Sequence, residues 1–304
     1  MSDETNAALD TIEKYIINAE NTAVLDQQRI LSQATTIDAQ RTQLDKDDLT
    51  IADLQAQLAA LQPKDPWALV LEDKFVDLRN WNVDNAAFGI TGGQHLGAVN
   101  LASNVLTGTA GLVLRAIKGT VTGGGFTEPW SSAGVNAAGK IRFGINSAFE
   151  VTCSLPNVQG FRPAPLWATR DDGGAPVLEI DGVEWMPSLN GNQTDIWTDY
   201  AGQTGHTNRH NPMTVSVGVD PLKLHTWRVE WVENPAYPGG TFTWYLDGVA
   251  TRTVGPNYVD PTAIVKPRIT LQVGSSASYG GAPLSDGPTT VNMIVQSFRL
   301  FKKV

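Results

Sequence analysis

From Leu9 to Leu61 apolar residues recur every seven positions. One set, Leu9, Ile16, Ala23, Ile30, Ile37, Leu44, Ile51 and Leu58, is apolar throughout. The set three residues later, Ile12, Ala19, Asp26, Gln33, Gln40, Asp47, Leu54 and Leu61, is mixed. A seven-residue apolar period held this long predicts an α-helix that supercoils with partners, because one helix alone cannot bury such a stripe. At 1.5 Å per residue the rod runs roughly 80 Å. Isoleucine-rich first positions with glutamines in the second set fit a parallel trimer with a partly hydrated seam. Isoleucine there also suits a dimer, so the strand number stays open.

The periodicity stops at Gln62-Pro63-Lys64-Asp65-Pro66. Two prolines this close cannot continue a helix, and each pushes its predecessor towards extended geometry. Residues 1–62 are therefore read as a coiled-coil stalk, 63–66 as a linker and 67–304 as a second domain. There the pattern changes to period two. Trp227, Val229 and Trp231 alternate with Thr226, Arg228 and Glu230; Phe242, Trp244 and Leu246 alternate with Thr243 and Tyr245. The second run closes on Asp247-Gly248, a hairpin turn signal. Many short strands broken by Gly, Pro and Asn, with no second helical segment, predict an all-β antiparallel sandwich or barrel.

Composition narrows the function classes. A net charge of −9 and no Lys/Arg cluster argue against a nucleic-acid groove. The single cysteine, Cys153, is in phase with the apolar positions of its segment and reads as a core thiol. His95, His206, His210 and His225 show no metal-ligand spacing, so no metal or cofactor is expected. The polar, acidic start, Met1-Ser2-Asp3-Glu4, lacks the features of a secretory signal, and no apolar run approaches a membrane span. The expectation is a soluble chain not exported by a standard signal.

The chemistry concentrates in Glu179-Ile180-Asp181-Gly182-Val183-Glu184-Trp185. On a regular strand Glu179 and Asp181 share a face and Glu184 points the other way. One extra residue in a β-bulge re-phases the strand, and Gly182 suits such a kink. All three carboxylates then line one face. Such a set is costly for a structural core and useful for a glycosidase, in which one carboxylate attacks the anomeric carbon and another protonates the leaving oxygen. The alternative is an exposed acidic strand face, and the spacing alone does not separate the two.

The surroundings do more. The hexapeptide resembles the active-site signature of glycoside hydrolase family 16 in its bulged form, the laminarinase, agarase and carrageenase-like branch. Ala68-Leu69-Val70-Leu71-Glu72-Asp73-Lys74-Phe75 with Trp81-Asn82-Val83 resembles the family's opening strand, and Gly111-Leu112-Val113-Leu114-Arg115-Ala116 a following one. Phe149-Glu150-Val151, Leu155-Pro156 and Gln159-Gly160-Phe161 precede the signature. His225 to Trp231, Trp244 to Gly248 and Phe298-Arg299-Leu300-Phe301 follow in family order.

The resemblance covers residues 65–304. It implies a concanavalin-like jelly roll of two curved sheets with a sugar cleft on the concave face. It also implies Glu179 as nucleophile, Glu184 as acid/base and Asp181 orienting Glu179 between them. Some relatives bind a structural calcium, which stays open here. Where many members carry Trp-Pro after the glycine, this chain has Phe161-Arg162-Pro163, and Trp167 follows. Arg162 is a candidate partner for an anionic sugar or a cleft carboxylate, or else a rim residue facing solvent. Trp185, Trp197 and Tyr200 are candidate sugar platforms, with core packing as the alternative. Trp167 joins Arg162 in the candidate substrate-binding set, and His206 and His210 are candidates for the cleft edge.

The expected activity is retaining, endo-type hydrolysis of a β-linked polysaccharide; the alternative is a lectin-like module that binds glycan without cutting it. A third reading is a stalk and knob that serve assembly. A helical stalk bearing a glycan-active head resembles phage tail or tail-fibre proteins. That likeness implies a virion or extracellular location, with self-association through residues 9–61 and contacts to other tail proteins.

Overall fold

The structure, a computed structural model, describes residues 3–61, 66–85, 97–137, 139–172, 177–187, 191–199, 213–215, 218–255, 259–274 and 281–304. Two compact units divide between Asp65 and Pro66. Of the expected linker, 63–65 lie outside the described residues.

The first unit holds one unbroken helix, α1 (Asp3–Leu61). Its interior threonines (Thr22, Thr35, Thr36, Thr42 and Thr50) satisfy their hydroxyls on the carbonyl four residues back. Lys14–Asp10 and Arg29–Asp26 add exposed ion pairs that contribute little. Leu9, Ile30, Ile37, Leu44 and Ile51 of the apolar stripe are each more than half exposed in the single chain. No described helix is long and apolar enough to cross a membrane.

The second unit is an antiparallel sandwich. Its strands are β1 (Trp67–Asp73), β2 (Asn82–Val83), β3 (Val99–Asn100), β4 (Val105–Gly108), β5 (Gly111–Gly123), β6 (Phe126–Asn136), β7 (Ser147–Ser154) and β8 (Phe161–Arg170). They continue as β9 (Val177–Met186), β10 (Gly191–Asp199), β11 (Met213–Val215), β12 (His225–Asn234), β13 (Tyr237–Leu246), β14 (Val249–Val254), β15 (Val265–Val273) and β16 (Thr290–Lys303). One layer runs β11-β10-β9-β8-β15-β6 and the other β5-β16-β7-β12-β13-β14, with the β5–β6 hairpin turning the corner between them. The first strand pairs with the last, Trp67 opposite Lys303 and Asp73 opposite Phe298.

The period-two pattern explains the core. Trp227, Val229 and Trp231 of β12 and Phe242, Trp244 and Leu246 of β13 are buried, while Arg228 and Glu230 pair on the outer face at 2.9 Å. From the other layer Leu178, Ile180, Val183 and Trp185 of β9 and Ile269, Leu271 and Val273 of β15 meet them. The β13–β14 turn has Asp247 at φ 49° and Gly248 at φ 79°, the left-handed pair a two-residue hairpin requires. Cys153 is fully buried, and burial pushes its thiol far above the usual range, so it is chemically inert in the folded chain.

One loop is held by a single carboxylate. Asp73 is buried and accepts from the Phe75 main-chain N–H (2.8 Å), the Asn80 amide (2.9 Å) and the Trp81 indole (3.0 Å). Phe75, at φ 55°, is in a region that bulky residues avoid, and these bonds hold it there. Its ring packs on Trp81, which meets Phe298 edge-on. Asp73→Ala leaves two buried donors and one part-buried donor without that acceptor, and is expected to cost about 3 kcal/mol in urea unfolding. A loss below about 0.5 kcal/mol, the range of a surface substitution, contradicts this role.

Candidate active site

The three carboxylates lie on β9, an interior strand between β8 and β10. Glu184 pairs with Gln193 of β10, but Asp181 pairs with Asp195, so Gly182 and Val183 oppose Thr194 alone. The same step appears against β8, where the adjacent residues Leu166 and Trp167 face Val183 and Asp181. Gly182 is the inserted residue. A Cβ there would lie 2.7 Å from the Leu166 carbonyl oxygen, so only glycine lets the strands approach this closely.

The bulge has the consequence its geometry demands. Before it, Leu178 and Ile180 face the core; after it, Val183 and Trp185 do. The intervening positions, Glu179, Asp181 and Glu184, therefore share the outer face of the layer. Asp181 is almost wholly enclosed, Glu184 is buried, and Glu179 is half-buried and reachable from solvent.

The re-phasing also corrects one sequence expectation. Trp185 is not a sugar platform: the phase shift that brings Glu184 outward sends Trp185 inward. It is fully buried in the core, with its indole donating to Asn157 Oδ1 at 3.1 Å. Trp167 does lie on the outer face, opposite Asp181, but the Arg268 guanidinium covers its ring at 4.6 Å from the centroid. That face of the ring is therefore occupied by the guanidinium. Trp197 pairs through its backbone with Glu179; its side chain lies outside the description. Tyr200, His206 and His210 lie outside the described residues.

Arg162, the residue that departs from the family pattern, is in contact with the site. Its Nη2 donates to Glu184 Oε2, with the arginine side chain 19% exposed and that of Glu184 7%. The guanidinium offsets negative charge on this face and fixes Glu184. It also engages an oxygen from which a general acid would act. Arg162 thus pairs with a carboxylate of this face, one of the roles expected of it, and is not a solvent-facing rim residue.

Three further residues belong to this face and were not expected. Arg268 bonds Asp84 Oδ2 at 3.1 Å, and the Asn136 amide donates to Asp84 Oδ1. Together they hold Arg268 over Trp167, extending the polar floor across β15 and β6. The alternation in Arg268-Ile269-Thr270-Leu271-Gln272 signals which side chains turn outward, but nothing local signals that Asp84 arrives beside them. Among the described residues no group of His, Cys, Asp and Glu side chains is arranged to hold a metal ion.

No protein-family model and no curated protein matches the sequence. Solved structures do match in fold. An endo-β-1,3-glucanase from Pyrococcus furiosus aligns at 23% identity and TM-score 0.64, covering 78% of this chain and 95% of its own. A glycoside hydrolase family 16 endo-glucanase from Bacteroides ovatus aligns at 21% identity and TM-score 0.60, covering 76% and 99%. An immunostimulatory antigen and pseudo β-1,3-glucanase of Mycobacterium tuberculosis aligns at 25% identity and TM-score 0.57, covering 78% and 99%. The second unit therefore has the fold of family 16 glucanases.

Proposed function

We propose that residues 67–304 form a retaining endo-glycosidase acting on a β-linked polysaccharide. Glu179 is the nucleophile, Glu184 the acid/base, and Asp181 the group between them that orients Glu179. The observation that carries this reading is the bulge at Gly182. It sets three carboxylates on one face of an interior strand, two of them buried, an arrangement whose repulsion and desolvation a purely structural strand has no reason to bear. Retaining cleavage needs two carboxyl groups about 5–5.5 Å apart across the scissile bond. Glutamates on the same face at the two ends of this set can lean to that spacing. The fold shared with the Pyrococcus and Bacteroides glucanases supports the substrate class.

A second reading, glycan binding without cleavage, is favoured by one contact. Arg162 holds Glu184 Oε2, which a general acid must free before it can protonate a leaving oxygen. The pseudo-glucanase neighbour shows that this fold also occurs in a protein so described. Incubating the intact chain with β-glucans, galactans and bacterial envelope glycans separates the two. Hydrolysis predicts a rapid fall in the length of at least one polymer, with internal cuts. Binding to a polymer that is never shortened assigns the module to the second reading.

The stalk is proposed to associate with two further copies as a parallel trimer through residues 9–61. Several heads on one rod gain avidity for a repetitive surface, because linked sites act at high effective concentration. That arrangement suits a tail or tail-fibre component of a phage virion. Sedimentation of the full chain should give a trimer, and residues 66–304 alone a monomer. A monomeric full chain rules out the stalk assignment.

A further inference from the structure

Trp244 lies in the layer opposite the carboxylates, in β13, and its side chain is buried. Across the core its Nε1 donates to the main-chain carbonyl oxygen of Asp181 at 2.8 Å. That carbonyl belongs to the residue at which the pairing of β9 jumps relative to both neighbours. A ladder carbonyl points along the sheet to the next strand. One that accepts from the facing layer is tilted out of the plane of the sheet, as a bulge allows, and its bond to the indole ties the bulge to the opposite layer. The indole is itself fixed. Arg252 of β14 lies over its ring at 5.1 Å from the centroid, and Phe242 packs beside it at 6.2 Å.

We propose that Trp244 is a positioning residue for the carboxylate strand: its indole N–H holds the bulge in the conformation that presents Asp181 and Glu184 on the same face as Glu179. Without that donor the peptide after Asp181 is free to rotate, and this motion displaces the bulged residues and with them the carboxylates of Asp181 and Glu184. The role acts through the backbone, since Trp244 is on the far side of the sheet from any substrate. The inference rests on the hydrolase reading for its kinetic consequence but not for its structural one.

The chain supplies its own matched comparison. Trp231 of β12 is equally buried, and its indole also donates to a main-chain carbonyl, that of Gly239 at 2.9 Å. Gly239 precedes Trp244 by five residues in β13, about 17 Å along the strand. Trp244→Phe and Trp231→Phe each remove one buried indole hydrogen bond while keeping an aromatic ring.

Both variants of the full chain are expected to unfold at a slightly lower temperature. Only Trp244→Phe should lower kcat, by about 10- to 100-fold with KM unchanged, as misplaced catalytic groups do. Only Trp244→Phe should also speed amide hydrogen exchange across 180–184. Equal effects of the two variants on kcat and on exchange at 180–184 overturn the proposal. Should the wild-type chain cleave no polysaccharide, the hydrolase reading fails. The exchange comparison then decides by itself whether Trp244 holds the bulge: faster exchange in Trp244→Phe alone upholds it, and no difference rejects it.

Discussion

Glu179→Gln is expected to abolish polymer cleavage, with a loss on the order of 10⁴-fold or more in kcat. Glutamine matches glutamate in size and keeps one oxygen, but its amide cannot attack the anomeric carbon to form a glycosyl ester. Glu179 is half-buried and accessible, so the neutral replacement should leave the fold and glycan affinity close to wild type. Loss of turnover with binding retained is the signature of a reacting group, whereas parallel loss of both would indicate a group that only binds. A Glu179→Gln chain that still shortens polymer at the wild-type rate removes Glu179 from the mechanism. Size-exclusion profiles of digested polymer, read beside affinity electrophoresis, distinguish these outcomes.

Gly182→Ala is expected to lower turnover too, by a smaller factor and by a different route. The added Cβ would meet the Leu166 carbonyl oxygen at 2.7 Å and the Leu166 side chain at 2.8 Å. The side chain can rotate away, but the carbonyl belongs to a strand held by pairing to both β15 and β9. The bulge must therefore open or move. Overpacking of this kind costs about 1–3 kcal/mol, or about 2–12 °C in melting temperature for a domain of this size. Displacing Glu184 relative to Glu179 by about 1 Å should cost around 100-fold in kcat. Gly119→Ala serves as the control, because a Cβ there meets nothing within 4 Å. If Gly182→Ala melts and turns over like wild type, the close approach at Leu166 has no role.

The parts of this protein that were legible in its sequence are those governed by short-range periodicity. The helix of α1, the alternation in β12 and β13 and the Asp247-Gly248 turn follow from rules that look no further than a few residues. The bulge was also legible, because a glycine between carboxylates spaced two and three apart has few other geometries that put them together. Trp185 shows the limit of reading by association. It adjoins the signature and so suggested a sugar contact, yet the re-phasing that turns Glu184 outward turns Trp185 inward.

The remainder of the face depends on long-range pairing. Asp84, Asn136, Trp167 and Arg268 come from four distant segments and meet because β6, β15 and β8 lie side by side. No local pattern encodes that order. Arg162 could be singled out by its departure from the family motif, but its pairing with Glu184 depends on the register between β8 and β9. Trp244 was legible only as a core position. Its contact with the Asp181 carbonyl crosses the sandwich, and strand periodicity carries no information about which residues face one another across a core.

Glu179 and Glu184 are proposed to act by double displacement. Proton NMR of the first products from a susceptible β-linked polymer tests it most directly. Two successive inversions at the anomeric carbon predict that β-anomer appears first and equilibrates with α only later by mutarotation. Initial appearance of the α-anomer would mean single displacement, in which Glu179 activates water instead of attacking, and would contradict the assignment.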